Sequence, residues 1–323
     1  MLFFPSHDIA LGNGVRHFNP PAAALTLQQD LAWLAGIWNQ GLDSPLPWGW
    51  DWDTREHIAR NLGIKRINLP TDSDLEALRQ LSSRHTTISI LEGLDYQGPM
   101  PRYLASEDEL DAFISGMKDS GRDFVLKTPW SSSGRGLIRS SVTDRETMTR
   151  RALATIRRMG GIMAETWLPK AQDFAMLFFV GHERTTFIGY SLFDNEDNGT
   201  YRQGYLMSND IIEDRLVSSV KTDVRHQLRQ LQTSIPLLLD RMFAPFFGLP
   251  WQVGYVGIDM MTLRPEAQPL GIMPCVEMNL RCTMGVVSRL WADRNMKAGQ
   301  TGRFCISPML GDGHFEARFI IDA

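Results

Sequence analysis

The sequence predicts a mixed α+β protein in three parts: an N-terminal α/β domain over residues 1–100, a second lobe over 101–190 and a third over 191–323. Three observations predict it. Capped helix patterns alternate with short β-branched runs in the first hundred residues, as in an α/β segment with parallel pairing. Strand patterns joined by turn-like tetrapeptides fill the middle third, which points to antiparallel hairpins. Two late apolar strands carry carboxylates in their interiors.

Composition narrows the function classes. Of 323 residues, 43% are hydrophobic and 22% charged, with a net charge of -4, which is the balance of an ordinary soluble globule. It supplies no electrostatic reason for a nucleic acid or an anionic membrane as partner. No apolar run reaches the roughly 18 residues of a membrane span, and Met1-Leu2-Phe3-Phe4 is too short and uncharged for a signal peptide. Cys275, Cys282 and Cys305 include no C-x-x-C pair, which argues against a disulfide framework and a thiolate zinc site, so a reducing cytoplasm is expected.

Taken in order, Asp53-Thr54 predicts a helix cap before Ile58 and Leu62, and Thr71 opens a second helix with Leu75, Leu78 and Leu81 on one face. Arg66–Leu69 and Thr86–Ile90 read as strands. Trp48, Trp50 and Trp52, at every second position, fit either an aromatic ligand wall or a packed ribbon. Ser106 and Glu109 form a capping box ahead of Leu110, Phe113, Ile114 and Met117. The strand Phe124–Lys127 follows, then the Ser/Gly loop Thr128–Gly136, then an apolar Leu137-Ile138. Thr143 and Glu146 make another capping box for a helix ending at Gly160-Gly161. Strands are predicted at Gly161–Glu165, Phe174–Val180 and Thr185–Tyr190, with Gly181–Arg184 as the turn between the last two. Asp194–Gly199 reads as an exposed loop, and a long helix spans Thr222–Phe243 with Pro236 in its middle. Strands Val253–Thr262 and Ile272–Leu280 close the readable part.

Three segments carry chemistry. Lys127 ends a strand directly before the Ser131–Gly136 loop, so a cation stands beside small residues whose backbone N–H groups can approach a polyphosphate. The order is not that of a P-loop, and no G-x-G-x-x-G follows a strand. Glu277 and Asn279 share one face of a strand, and an antiparallel neighbour presents Asp259 beside them. Two carboxylates and an amide oxygen suit a hard divalent ion. A buried pair of Glu277 with Arg281 is the plainer alternative. Third, Glu165-Thr166-Trp167-Leu168 closes a strand whose edge can meet an adenine ring. None of the seven histidines falls in an H-E-x-x-H set, and each reads as a surface or packing residue.

The order and spacing of these segments resemble the ATP-grasp superfamily over roughly Pro101 to Trp291. Cys275-Val276-Glu277-Met278-Asn279-Leu280-Arg281 is similar to the Glu-Met-Asn-x-Arg of its carboxylase-like members. The resemblance implies an α+β fold with a pre-grasp domain and two lobes sandwiching ATP. It implies Lys127 and Arg281 as catalytic residues, and Asp259, Glu277 and Asn279 as ligands of Mg²⁺ or Mn²⁺. Arg102, Lys127, Ser131, Ser132, Ser133, Gly134, Gly136, Glu165, Trp167, Leu168 and Asp173 are the implied nucleotide contacts, with Asp173 standing next to the usual ribose position, Gln172. Asp8–Asn13 would line the acceptor side. Gly257, two residues before Asp259, and Cys282-Thr283-Met284 depart from the D-alanine ligase and biotin carboxylase patterns. The implied activity is ligation of a small carboxylate to an amine through an acyl phosphate, with an oligomer left open. A kinase acting on a hydroxyl and a non-catalytic ATP-binding protein are the alternatives.

Overall fold

The computed structural model describes residues 2–131, 136–196, 201–220, 223–267, 270–309 and 313–322. Its first hundred residues are helical: α1 (His7–Asn13), α2 (Ala22–Asp30), α3 (Ala35–Asn39), α4 (Trp52–Asn61), α5 (Asp72–Leu81) and α6 (Thr86–Gly93). The expected α/β domain is corrected here, because the first strand among the described residues is β1 (Arg102–Leu104). Thr86–Ile90, read as a strand, lies in α6, and Arg66–Asn68 is a 3₁₀ turn. In α6 the buried Thr87, Ile90 and Leu91 recur at helical spacing, so burial against the sheet overrides the weak β preference of Thr and Ile. Ile67 is 81% exposed, so nothing at that position supports a half-buried strand.

The helix starts follow the capping logic with one-residue and two-residue offsets. Asp51, not Asp53, caps α4 by accepting from the amide of Thr54, and Asp144, not Thr143, caps the helix Arg145–Met159. Thr71 caps α5 through a reciprocal capping box with Asp74, as its sequence predicts.

Two antiparallel sheets follow. The smaller has the order β1-β4-β2-β3, with β2 (Phe124–Lys127), β3 (Leu137–Arg139) and β4 (Ile162–Thr166). Helices α7 (Glu107–Asp119) and α8 (Arg145–Met159) cover one face, where Leu104, Phe113, Leu126, Ile138, Ala152 and Ile162 form a separate core. Alternation therefore leaves Lys127 and Glu165 on the other face.

The larger sheet runs β11-β10-β7-β6-β5-β8-β9. Its strands are β5 (Lys170–Val180), β6 (Thr185–Asn195), β7 (Tyr201–Leu206), β8 (Gly254–Leu263), β9 (Ile272–Asn279), β10 (Gly302–Pro308) and β11 (Phe315–Ile321). Between them lie α9 (Asn209–Ser218), α10 (Arg225–Phe243), which carries Pro236 inside it, and α11 (Met284–Asn295). The predicted lobe boundary at 190 falls inside β6. Nor do residues 1–100 keep a core of their own. Ile58, Leu75, Leu78 and Ile90 pack with Phe174, Met176 and Leu239, while Phe3, Leu34 and Trp38 pack with Leu177, Val287 and Phe304 on the other side.

The tryptophan segment is divided between those cores. Trp48 sits edge-on to Phe3 at 4.9 Å and to Trp38 at 5.4 Å, whereas Trp50 meets Trp251 at 5.9 Å and donates to the carbonyl of Gln252 at 2.8 Å. Packing, the second of the two readings, accounts for both rings. Among the described residues no helix is long and apolar enough to cross a membrane.

Candidate active site

The ladder of β8 and β9 positions the acidic group. Asp259 stands directly opposite Glu277, and Asn279 opposite Gly257, so the three side chains share one face. Asn279 Nδ2 donates to Asp259 Oδ2 at 3.1 Å. Asp259 is half-buried yet enclosed on its remaining sides. Burial first, then the charge of Glu277, pushes its carboxyl up to about 7, while Asn279 and Arg281 offset only part of the rise. Two carboxylates forced together at a strand ladder gain from a divalent cation, and the donor set of two carboxylates and an amide fits Mg²⁺ or Mn²⁺. Among the described residues no third acidic, histidine or cysteine side chain joins them.

Lys127 and Glu165 meet diagonally across β2 and β4. Lys127 Nζ lies 2.6 Å from Glu165 Oε2, and both side chains are about nine-tenths buried, at 10% and 11% exposure. Glu165 Oε1 is buried with no hydrogen-bond partner among the described residues. An orphaned carboxylate oxygen is costly, so the site lacks a donor that a ligand such as an exocyclic amine would supply. The thiol of Cys275, pushed up by its own burial, feels Asp259, Glu165 and Glu277 together, which places the two acidic groups within electrostatic reach of one atom.

The arginines are arranged differently from the sequence expectation. Arg281 does not pair with Glu277. Its Nε donates to both oxygens of Asp8 on α1, at 2.8 and 2.9 Å, its Nη2 to Asn279 Oδ1 at 3.1 Å and its Nη1 to the carbonyl of Cys282 at 3.1 Å. Burial raises Asp8's carboxyl, but the Arg281 guanidinium outweighs it and holds the pKa below the usual value. Glu277 is paired instead with Arg84, which no sequence pattern marks: Nη2 lies 2.7 Å from Glu277 Oε2. Arg84 Nη1 donates to the carbonyl of Thr128 at 2.7 Å and to Ser131 Oγ at 2.8 Å.

A second group was also missed. His7, 2% exposed, contacts Asp51 Oδ2 through Nδ1 at 2.8 Å, and Asp51 Oδ1 simultaneously caps α4. Nε2 makes no hydrogen bond among the described residues. A Cβ on Gly49 would lie 2.5 Å from that nitrogen, so only glycine leaves room for the ring. His7 lines a narrow cleft with Asp8, Trp130, Ser131, Glu277 and Asn279. Its ring is buried, as in a packing role, and it also borders that cleft.

The remaining predicted positions divide. Ser131 joins the cluster through Arg84. Gly136 closes the β2–β3 hairpin at φ 74°, where a Cβ would meet Thr128 Oγ1 at 2.4 Å. Ser132, Ser133 and Gly134 lie outside the described residues. Asp173, on the same sheet face as Asp259, holds Lys170 at 2.5 Å and adds to the rise in Asp259's pKa. Leu168 packs against the main core. Trp167 is 43% exposed under the guanidinium of Arg139, at 4.1 Å. Arg102 is a correction: alternation on β1 sends it to the helix-covered face, over Phe113 at 5.9 Å, away from Lys127 and Glu165.

No protein-family model and no curated protein sequence matches the chain. Solved structures do. Biotin carboxylase from Campylobacter jejuni, in its β,γ-ATP complex, aligns with a TM-score of 0.50 at 11% identity, over 80% of this chain and 58% of that one. N5-carboxyaminoimidazole synthase from Aspergillus clavatus, with ADP and an aminoimidazole ribonucleotide, aligns at 0.47 and 14% identity, over 81% and 64%. L-amino acid ligase from Bacillus licheniformis aligns at 0.44 and 13% identity, over 76% and 57%. The chain thus spans less than two thirds of the length of these three proteins. The first alignment establishes a likeness of fold.

Proposed function

We propose that this chain, which has the ATP-grasp fold, is an ATP-dependent ligase that activates a small carboxylate as an acyl phosphate and joins it to an amine. The observation that carries the reading is the Asp259–Glu277 pair with Asn279, set against the β2–β3 loop. Asp259, Glu277 and Asn279 would hold Mg²⁺ or Mn²⁺, which neutralises phosphate oxygens when bound. Glu165 Oε1 would accept from the adenine amine, and Asp173 would take the ribose hydroxyls. Lys127, together with the backbone at Ser131 and Gly136, would face the phosphates. Arg281, bonded to Asp8, Asn279 and the carbonyl of Cys282, would keep the Asn279 amide in place and is a positioning residue in this reading.

In the transfer step, the amine nitrogen bonds to the acyl carbon as the carbon–oxygen bond to phosphate breaks. An ammonium acceptor sheds two protons in total. In this reading His7 Nε2, with Nδ1 held by Asp51, would take one, and the other would leave with the phosphate. The same dyad favours a second reading, phosphorylation of an alcohol, which needs a base of this kind.

Two measurements test these readings. Millimolar Mg-ATP is expected to raise the unfolding temperature without any other substrate, since a ligand at about 100 times its dissociation constant adds roughly 2.7 kcal/mol. No shift would remove the nucleotide site. With a pool of carboxylates and hydroxylamine as acceptor, the ligase produces hydroxamate, ADP and free phosphate, the last two in equal amounts. A stable phosphorylated product without hydroxamate would select the kinase instead.

A further inference from the structure

We infer that Arg84 is a phosphate-binding cation that stands in for the divalent ion at Glu277 until nucleotide and metal arrive. The inference rests on the nucleotide reading above and adds to it a residue outside the motif-bearing segment.

Arg84 lies between α5 and α6, in the helical part of the chain, yet every side-chain hydrogen bond it makes reaches into the site. Its side chain is 7% exposed. Its amide donates to the carbonyl of Pro129 at 2.9 Å, and Nη1 donates to the carbonyl of Thr128 and to Ser131 Oγ. Those contacts tie the guanidinium to the loop that follows Lys127. Nη2 completes the set on Glu277 Oε2 at 2.7 Å. The same carboxylate is the proposed metal ligand, so one buried arginine joins the phosphate loop to the metal strand. Arg84 Nε is buried without a partner among the described residues, and Glu277 occupies only part of Nη2, so the guanidinium keeps donor capacity that the protein does not use. A planar fork with spare donors beside the Ser131 hydroxyl matches a phosphoryl group.

Charge gives the arrangement its direction. Without ligand, Arg84 and Arg281 face Asp8, Asp259 and Glu277, and Arg84's charge also helps lower the pKa of Asp8. A bare divalent ion would have to enter next to an arginine that already neutralises Glu277, which disfavours it. A metal–nucleotide complex brings its own anions, to which Arg84 can turn. Arg84 therefore opposes metal alone and supports metal with nucleotide, and removing it moves the two affinities in opposite directions. An arginine that merely orients Glu277 would support both.

The test uses the full chain and two probes, Mn²⁺ alone by electron paramagnetic resonance and Mg-ADP by calorimetry, at fixed ionic strength. R84Q is expected to bind Mn²⁺ roughly tenfold more tightly than the natural chain and Mg-ADP roughly tenfold more weakly, the order of effect of one partly desolvated charge. R84K, which keeps the charge, should leave the Mn²⁺ affinity within about threefold. R84M, apolar and of similar length, gives the same reading as R84Q should that variant not fold. Unchanged or weakened Mn²⁺ binding in R84Q or R84M overturns the inference while the nucleotide site stands. Failure of the natural chain to bind Mg-ADP overturns the nucleotide reading itself.

Discussion

Asp259→Asn is expected to stabilise the ligand-free protein at pH 8 while removing at least a hundredfold of its turnover. The sign follows from linkage. Burial and then the charge of Glu277 push the carboxyl of Asp259 up to about 7 in the folded chain, above the ordinary carboxylate range, so the folded state binds the proton more tightly than the unfolded one. Its contribution to stability is fully present below about pH 4 and is lost as pH rises through about 7. At pH 8 the natural protein therefore carries a half-buried charge beside Glu277 that costs on the order of 1–3 kcal/mol. Asparagine cannot ionise, and it keeps one oxygen to accept from Asn279. On the proposed ligase reading, the loss in turnover has the size expected when one preorganised charge is taken from a site of phosphoryl transfer, about 2.7–4 kcal/mol in the transition state. Urea unfolding at pH 5 and pH 8 separates the outcomes. The natural protein should lose stability between those values more steeply than the variant, and a variant less stable than the natural chain at pH 8 would contradict the argument.

Lys127→Met is expected to have the largest effect on stability, a loss of about 3–5 kcal/mol, because it strands Glu165 as an unpaired buried carboxylate. Among the described residues Glu165 Oε1 already has no partner, and Oε2 has the lysine. The double variant Lys127→Met/Glu165→Leu, apolar at both positions, should recover most of the lost stability, since a buried ion pair replaced by packed apolar groups is often neutral or better. Recovery of stability without recovery of Mg-ATP binding would separate the structural role of the pair from its ligand role. Denaturant midpoints of all three proteins decide this, and a single variant as stable as the natural chain would show that Glu165 is not dependent on Lys127.

What the sequence determined by itself was local. The Thr71 and Ser106 caps, the β2–β3 and β5–β6 hairpins and the strands bearing Asp259 and Glu277 each depend on residues within one or two turns of one another, so periodicity and capping chemistry suffice to place them. The shared face of Glu277 and Asn279 was legible for the same reason, because a strand repeats every second residue. Only the tertiary structure decided the rest. Thr86–Ile90 has the composition of a strand but buries Thr87, Ile90 and Leu91 as a helix, since the energy of covering the sheet exceeds the small preference of the backbone. Arg102 has a suitable charge but sits on the helix-covered face. Arg84 reaches Glu277 across 193 positions, Arg281 reaches Asp8 across 273, and His7 reaches Asp51 across 44. Charge pairing at such separations leaves no periodic trace in a chain: it is set by how the helices of the first hundred residues pack on the two faces of the large sheet, and that packing chose which arginine faces Glu277 on β9.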